Sequence, residues 1–117
     1  MGNFKQLRIW QEGVELAAEI YRVTQCPPLD KDWALKDQLR RAAISIPSNI
    51  AEGDELRTNK QAIQYLSIAR GSCAELITQL IIAERIGYLT TTERATLEDT
   101  CEKIAASINK LIEHRGK

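Results

Sequence analysis

From Ala62 to Ala83 the chain places apolar residues at alternating intervals of four and three: Ala62, Leu66, Ala69, Cys73, Leu76, Leu80 and Ala83. That is the heptad rhythm by which a helix lays one seam against its neighbours. A strand, whose side chains alternate every second residue, has no use for it. The spacing predicts a helix from about Asn59 to Ile86, with Thr58 or Asn59 capping its start. Gly87 suits the left-handed position that ends such a helix, with Tyr88 packing back. At about 1.5 Å per residue this helix spans roughly 40 Å. Its last third, Leu76 to Ala83, is apolar nearly all round, the mark of a helix covered on more than one side.

Three further helices follow from the same periodicity. The first runs from about Arg8 to Thr24, with one apolar row at Leu7, Trp10, Val14, Ala17 and Tyr21. A second row, Ile9, Leu16, Ile20 and Val23, lies beside it; together they form one broad core face, or a core face plus a contact face for another subunit. Cys26-Pro27-Pro28 stops this helix. Another runs from about Asp32 to Asp54, with Leu35, Leu39, Ala42, Ile46 and Asn49 inward. Pro47 falls inside it, and a proline in a helix interior costs about 3 kcal/mol. The apolar pattern resumes at Ile50-Ala51, so a helix kinked at Pro47 is favoured over one that ends near Ser45. The last runs from about Thr91 to His114 along Leu97, Cys101, Ile104, Ile108 and Leu111. Thr90 and Glu93 form a capping box at its start. Short connections between long amphipathic helices favour antiparallel neighbours. The expected fold is all-α: an antiparallel up-down-up-down four-helix bundle, one domain over residues 1–117.

Composition narrows the function classes. Sixteen Lys and Arg balance sixteen Asp and Glu, and the balance is also local. Residues 1–30 sum to minus one, 31–57 to zero, 58–88 to plus one and 89–117 to zero. Phosphate contacts need excess cations, so this balance argues against a dominant polyanion-binding role. There is no signal-type apolar region near the start and no run of eighteen apolar residues, which favours a soluble, cytoplasmic protein away from membranes. Cys26, Cys73 and Cys101 are odd in number and widely spaced, and His114 is the only histidine. They make no metal-ligand pattern, and Cys73 and Cys101 read as small core hydrophobes. No Glu-x-x-His pair exists for a di-iron centre. No histidine is placed to activate Ser45, Ser48, Ser72 or Cys73. The expectation is a non-enzymatic protein with no metal or cofactor.

Two polar rows remain. Ser45, Asn49 and Glu52 share one side of the second helix, and Ser72, Glu75 and Gln79 one side of the third. Facing each other, they would form a semi-buried network, with Arg40 or Arg41 neutralising Glu75 or Glu52. Its structural reading is a register-fixing network; its functional reading is a polar ligand pocket. A separate set, Arg8, Lys36, Arg40, Arg41 and Arg57, is a candidate nucleic-acid patch.

The run Ser45-Ile46-Pro47-Ser48-Asn49-Ile50-Ala51-Glu52-Gly53, preceded by Gln38-Leu39-Arg40-Arg41-Ala42-Ala43, resembles the signature of a bacterial four-helix-bundle family. Its members were noticed as proteins encoded in intervening sequences of the 23S ribosomal RNA gene. Leu7-x-x-Trp10-Gln11, Ala69-Arg70-Gly71-Ser72 with Glu75-Leu76 and Gln79-Leu80, and Gly87-Tyr88-Leu89 carry the likeness over nearly the whole chain. The resemblance implies an antiparallel bundle whose second helix continues through the proline and which assembles into a ring-shaped homopentamer. A related branch, the accessory proteins of diversity-generating retroelements, binds a reverse transcriptase and nucleic acid and is strongly basic. This chain departs from that branch in its charge balance. The expected function is therefore a homo-oligomeric scaffold or protein-interaction module; the alternative is a nucleic-acid-binding accessory protein.

Overall fold

A computed structural model of the chain describes residues 3–56 and 58–116. Four helices account for most of them: α1 (Arg8–Thr24), α2 (Trp33–Glu55), α3 (Asn59–Arg85) and α4 (Thr91–Arg115). Short 3-10 turns at Phe4–Gln6 and Leu29–Lys31 precede α1 and α2, and no strand occurs among the described residues. Each helix lies antiparallel to the next, in a body of 44 × 21 × 20 Å. α2 and α3 share the most extensive seam, while α1 and α4 close the bundle most sparsely.

The helix ends have identifiable causes. The Asp32 carboxylate accepts from Leu35 N at 3.1 Å, and Thr58 Oγ1 accepts from Gln61 N at 3.2 Å. Thr90 and Glu93 make the reciprocal capping box, at 3.1 and 2.8 Å. At the end of α3, Gly87 adopts φ 87°. Tyr88 N then donates to Ala83 O at 2.8 Å and Gly87 N to Glu84 O at 3.0 Å. These are the paired bonds that satisfy a helix's last carbonyls when a left-handed residue follows it. Tyr88 turns back, and its hydroxyl donates to Asp32 Oδ2 at 3.1 Å, tying the α3–α4 turn to the start of α2.

The heptad residues of α3 (Ala62, Leu66, Ala69, Cys73, Leu76, Leu80 and Ala83) are all buried, and all but Ala62 join one core with Leu39, Ile46 and Ile50 of α2 and Ile104 and Ile108 of α4. By length and composition α3 is also long and apolar enough to cross a membrane. That apolarity is shared between a fully packed face and an exposed flank. On α1 both rows reach the core, Leu7, Trp10 and Ala17 of the first and Ile9 and Val23 of the second packing partly buried against it. Leu16 and Ile20 of the second row are core residues, whereas Val14 (39 % exposed) and Tyr21 (36 %) of the first lie at the rim. α2 runs without interruption through Pro47, which is itself buried.

Candidate functional site

The antiparallel register of α2 and α3 brings three of the predicted polar residues together. Ser45 and Ser72 are 2.7 Å apart, oxygen to oxygen. Asn49 Nδ2 donates to Ser45 Oγ at 2.9 Å and to Ser45 O at 2.8 Å. Ser72 also reaches Ile68 O at 3.0 Å, so its hydroxyl bridges its own helix and the next. Gln79 lies two turns farther along α3, buried, and its Oε1 has no partner among the described residues. Glu52 and Glu75 point to solvent, as does Arg41. None of the three makes an ion pair among the described residues. The buried part of the seam is thus a neutral amide–hydroxyl cluster, and its charged members form an outer edge.

Arg40 does not join this seam. Successive helical residues are turned by about 100°, which sends Arg40 to the α1 side and Arg41 away from it. Arg40 Nε donates to Thr24 Oγ1 at 2.8 Å and its guanidinium lies 4.2 Å above the Tyr21 ring. Thr24 in turn donates to Ile20 O at 2.7 Å. A cation at the last turn of α1 meets the negative end of the helix dipole, so Arg40 fastens α2 to the C-terminus of α1. Lys36 is engaged nearby, over the Trp33 ring at 3.8 Å and donating to Asp30 O at 3.0 Å.

Of the candidate nucleic-acid patch, Lys36, Arg40 and Arg41 lie within two turns of α2, and Arg8 stands apart from them. Arg8 opens α1 and Thr24 ends it, so at about 1.5 Å per residue Arg8 lies roughly 24 Å from the Arg40 contact. Arg41 faces another side, and Arg57 lies outside the described residues.

Periodicity did not single out the exposed apolar flank of α3. Ile68 (50 % exposed), Ile82 (46 %) and Ile86 (51 %) lie on the side that carries Ser72, Glu75 and Gln79. Ile68, Glu75 and Ile82 follow at heptad spacing, and Ile86 is one turn beyond Ile82. Gly71, also exposed, leaves open space where a Cβ would stand. The signal was present in the all-round apolar end of this helix, but a bundle core alone would account for it equally well.

Elsewhere, Arg94 donates to Glu84 at 2.6 Å and to Glu98 at 2.8 Å, joining α3 to α4. Its guanidinium, then the Thr91 hydroxyl, hold the Glu84 carboxyl below the usual carboxylate range. Cys101 Sγ donates to Cys73 O at 3.4 Å. The neighbouring Cys73 side chain, and then burial, push the Cys101 thiol up. Among the described residues, no group of three His, Cys, Asp or Glu side chains is arranged to hold a metal ion.

A crystal structure of a protein of unknown function from the S23 ribosomal protein family of Bacteroides thetaiotaomicron has the same fold, with a TM-score of 0.82. It is 21 % identical in sequence, and the match covers 89 % of this chain and 97 % of that one. No curated protein sequence matches the chain. The 23S rRNA-intervening sequence protein family matches over residues 5–110. With the signature run around Pro47 inside that match and the four helices in the expected order, the chain belongs to the 23S rRNA-intervening sequence protein family.

Proposed function

We propose that this protein is a non-enzymatic homo-oligomeric scaffold, a ring of five copies, that acts through protein contacts. The observation that carries the reading is the apolar flank of α3, where Ile68, Ile82 and Ile86 stand half-exposed along one side of the helix. Isolated exposed apolar residues are ordinary on a monomer, but an aligned set marks an interaction surface. Full burial of an isoleucine contributes roughly 1.5–3 kcal/mol, so covering the exposed half of each adds about 1 kcal/mol per residue. Glu75, exposed on the same side of α3, makes no ion pair among the described residues. It is left to meet a cation on a different surface of the next copy, because a closed ring joins two unlike faces of successive copies. The subunit number of five rests on the family resemblance. The non-enzymatic reading rests on the lack of any acid–base or nucleophile arrangement in the sequence. The engagement of Lys36 and Arg40 in contacts within the chain, and the distance of Arg8 from them, weigh against the alternative of nucleic-acid binding. Light scattering of the full chain at micromolar concentration tests the proposal. A mass five times 13.2 kDa supports it, and a strictly monomeric mass overturns it.

A further inference from the structure

The seam between α1 and α4 is the sparsest in the bundle, and a line of hollows runs along it. One of about 380 Å³ has Leu16 and Leu97 at its floor, with Thr96 and Thr100 on one wall and Glu12, Glu15 and Glu19 on the other. It shares Glu19, Thr96 and Leu97 with a second hollow of about 270 Å³, which reaches Val23 and Glu93. Toward the opposite end of α1 a third, of about 320 Å³, lies over Leu7, Ile9 and Leu111 and is edged by Arg8, Lys110 and His114. The floor is apolar throughout. The rim is acidic at the end formed by the C-terminal part of α1 and cationic at the other. Of the α1 carboxylates only Glu19 is paired among the described residues, with Arg22 at 2.6 Å. Arg8 and Lys110 make no ion pair there.

We propose that the α1–α4 seam is a docking groove for an amphipathic helix of a partner protein, cationic at its N-terminal end and acidic at its C-terminal end. α1 has 17 residues, so the groove accepts a helix of about 25 Å, four to five turns. Such a helix seats side chains spaced i, i+3, i+4 and i+7 on an apolar floor. Its orientation follows from charge. The positive end of the helix dipole, reinforced by Lys or Arg, meets Glu12, Glu15 and Glu19, and the negative end meets Arg8 and Lys110. The incoming helix therefore runs parallel to α4. This surface is separate from the α3 flank, but a ring covers a second face of each copy as well, so the oligomeric state of the Thr96→Arg variant distinguishes a partner helix from a second copy.

The probe is a fluorescent helical peptide of about sixteen residues with a leucine stripe, lysines in its first two turns and glutamates in its last two. A second peptide of the same composition has the two charge blocks exchanged. Anisotropy titrations use the full chain at low salt. The lysine-first peptide binds roughly tenfold or more tightly than its counterpart, and added salt narrows the gap. The double substitution Glu15→Lys and Glu19→Lys, both at exposed positions, abolishes or inverts the preference while the helical circular dichroism stays unchanged. Thr96→Arg, which fills the groove, removes binding of both peptides. Equal binding of the two peptides, no saturation by about 1 mM, or a preference untouched by the charge reversal overturns the proposal. So does dissociation of the protein's own oligomer by Thr96→Arg, because the groove would then hold a second copy.

Discussion

A Cβ placed on Gly13 of α1 would stand 3.3 Å from the Cβ of Pro47 in α2. The proline ring, which removes one hydrogen bond from its own helix, fills the space that a side chain at position 13 would occupy. The residue that weakens α1 by propensity thus lets α1 sit close on the irregular point of α2. Gly71 offers the contrast: it is also mid-helix, yet a Cβ there meets nothing within 4 Å. Gly13→Val is expected to lower stability by roughly 1–3 kcal/mol through overpacking against a rigid ring. Gly71→Ala should raise it by about 0.5–1 kcal/mol. Urea unfolding of the two variants checks both signs.

The Ser45–Ser72 contact predicts coupling between α2 and α3. Each hydroxyl keeps another partner when the other is removed, Asn49 for Ser45 and Ile68 O for Ser72. Ser45→Ala and Ser72→Ala alone are each expected to cost about 0.5–1.5 kcal/mol. In a double-mutant cycle the pair should lose about 0.5–1 kcal/mol less than the sum. Additive losses would mean that the 2.7 Å contact contributes nothing of its own.

The cysteines should separate by reactivity. Cys26 is exposed, whereas Cys73 and Cys101 are buried. Only a thiolate reacts quickly, and the Cys101 thiol is pushed up by the neighbouring Cys73 side chain and by burial. A maleimide counted by mass spectrometry should add once to the native protein and three times in denaturant. Rapid triple labelling of the native chain would contradict the packing.

Acid should loosen the α3–α4 connection through Glu84. Its carboxyl is held below the ordinary range, first by the hydrogen bond from Arg94 and then by Thr91. A group whose folded pKa is depressed stabilises the fold above its unfolded pKa, and that contribution disappears as pH falls through the lower folded value. Between pH 5 and 2, about the window in which a carboxylate titrates, thermal melts of the wild type should lose more stability than those of Glu84→Gln. Parallel acid limbs would show that the Arg94 pair contributes nothing to the pH dependence.

Much of the architecture was legible from local chemistry. The heptad row, the Thr90–Glu93 box and the Gly87-Tyr88 stop each depend on residues within a turn or two. The four helices accordingly begin and end within a residue or so of their expected positions. The continuation of α2 through Pro47 was favoured by the apolar pattern that resumes at Ile50 and implied by the family resemblance. What was not legible depends on which helices become neighbours. Arg40 and Arg41 look equivalent in the sequence, yet a turn of about 100° per residue gives one to Thr24 and leaves the other in solvent. The polar rows were recognised as rows, but only the register of α2 on α3 selects Ser45, Asn49 and Ser72 and leaves Glu52 and Glu75 outside.

Assembly through the α3 flank is open to sedimentation equilibrium on one pair of variants. The double substitution Ile68→Glu and Ile82→Glu changes residues already about half exposed, so the bundle should keep its helical signal. At about 100 µM, where a micromolar association is nearly complete, the wild type should sediment as five copies and the double variant as a 13.2 kDa monomer. Val14→Glu, an exposed apolar site on α1, should leave the oligomer intact. A wild type that sediments at 13.2 kDa, or a double variant that keeps the wild-type mass, would contradict the account.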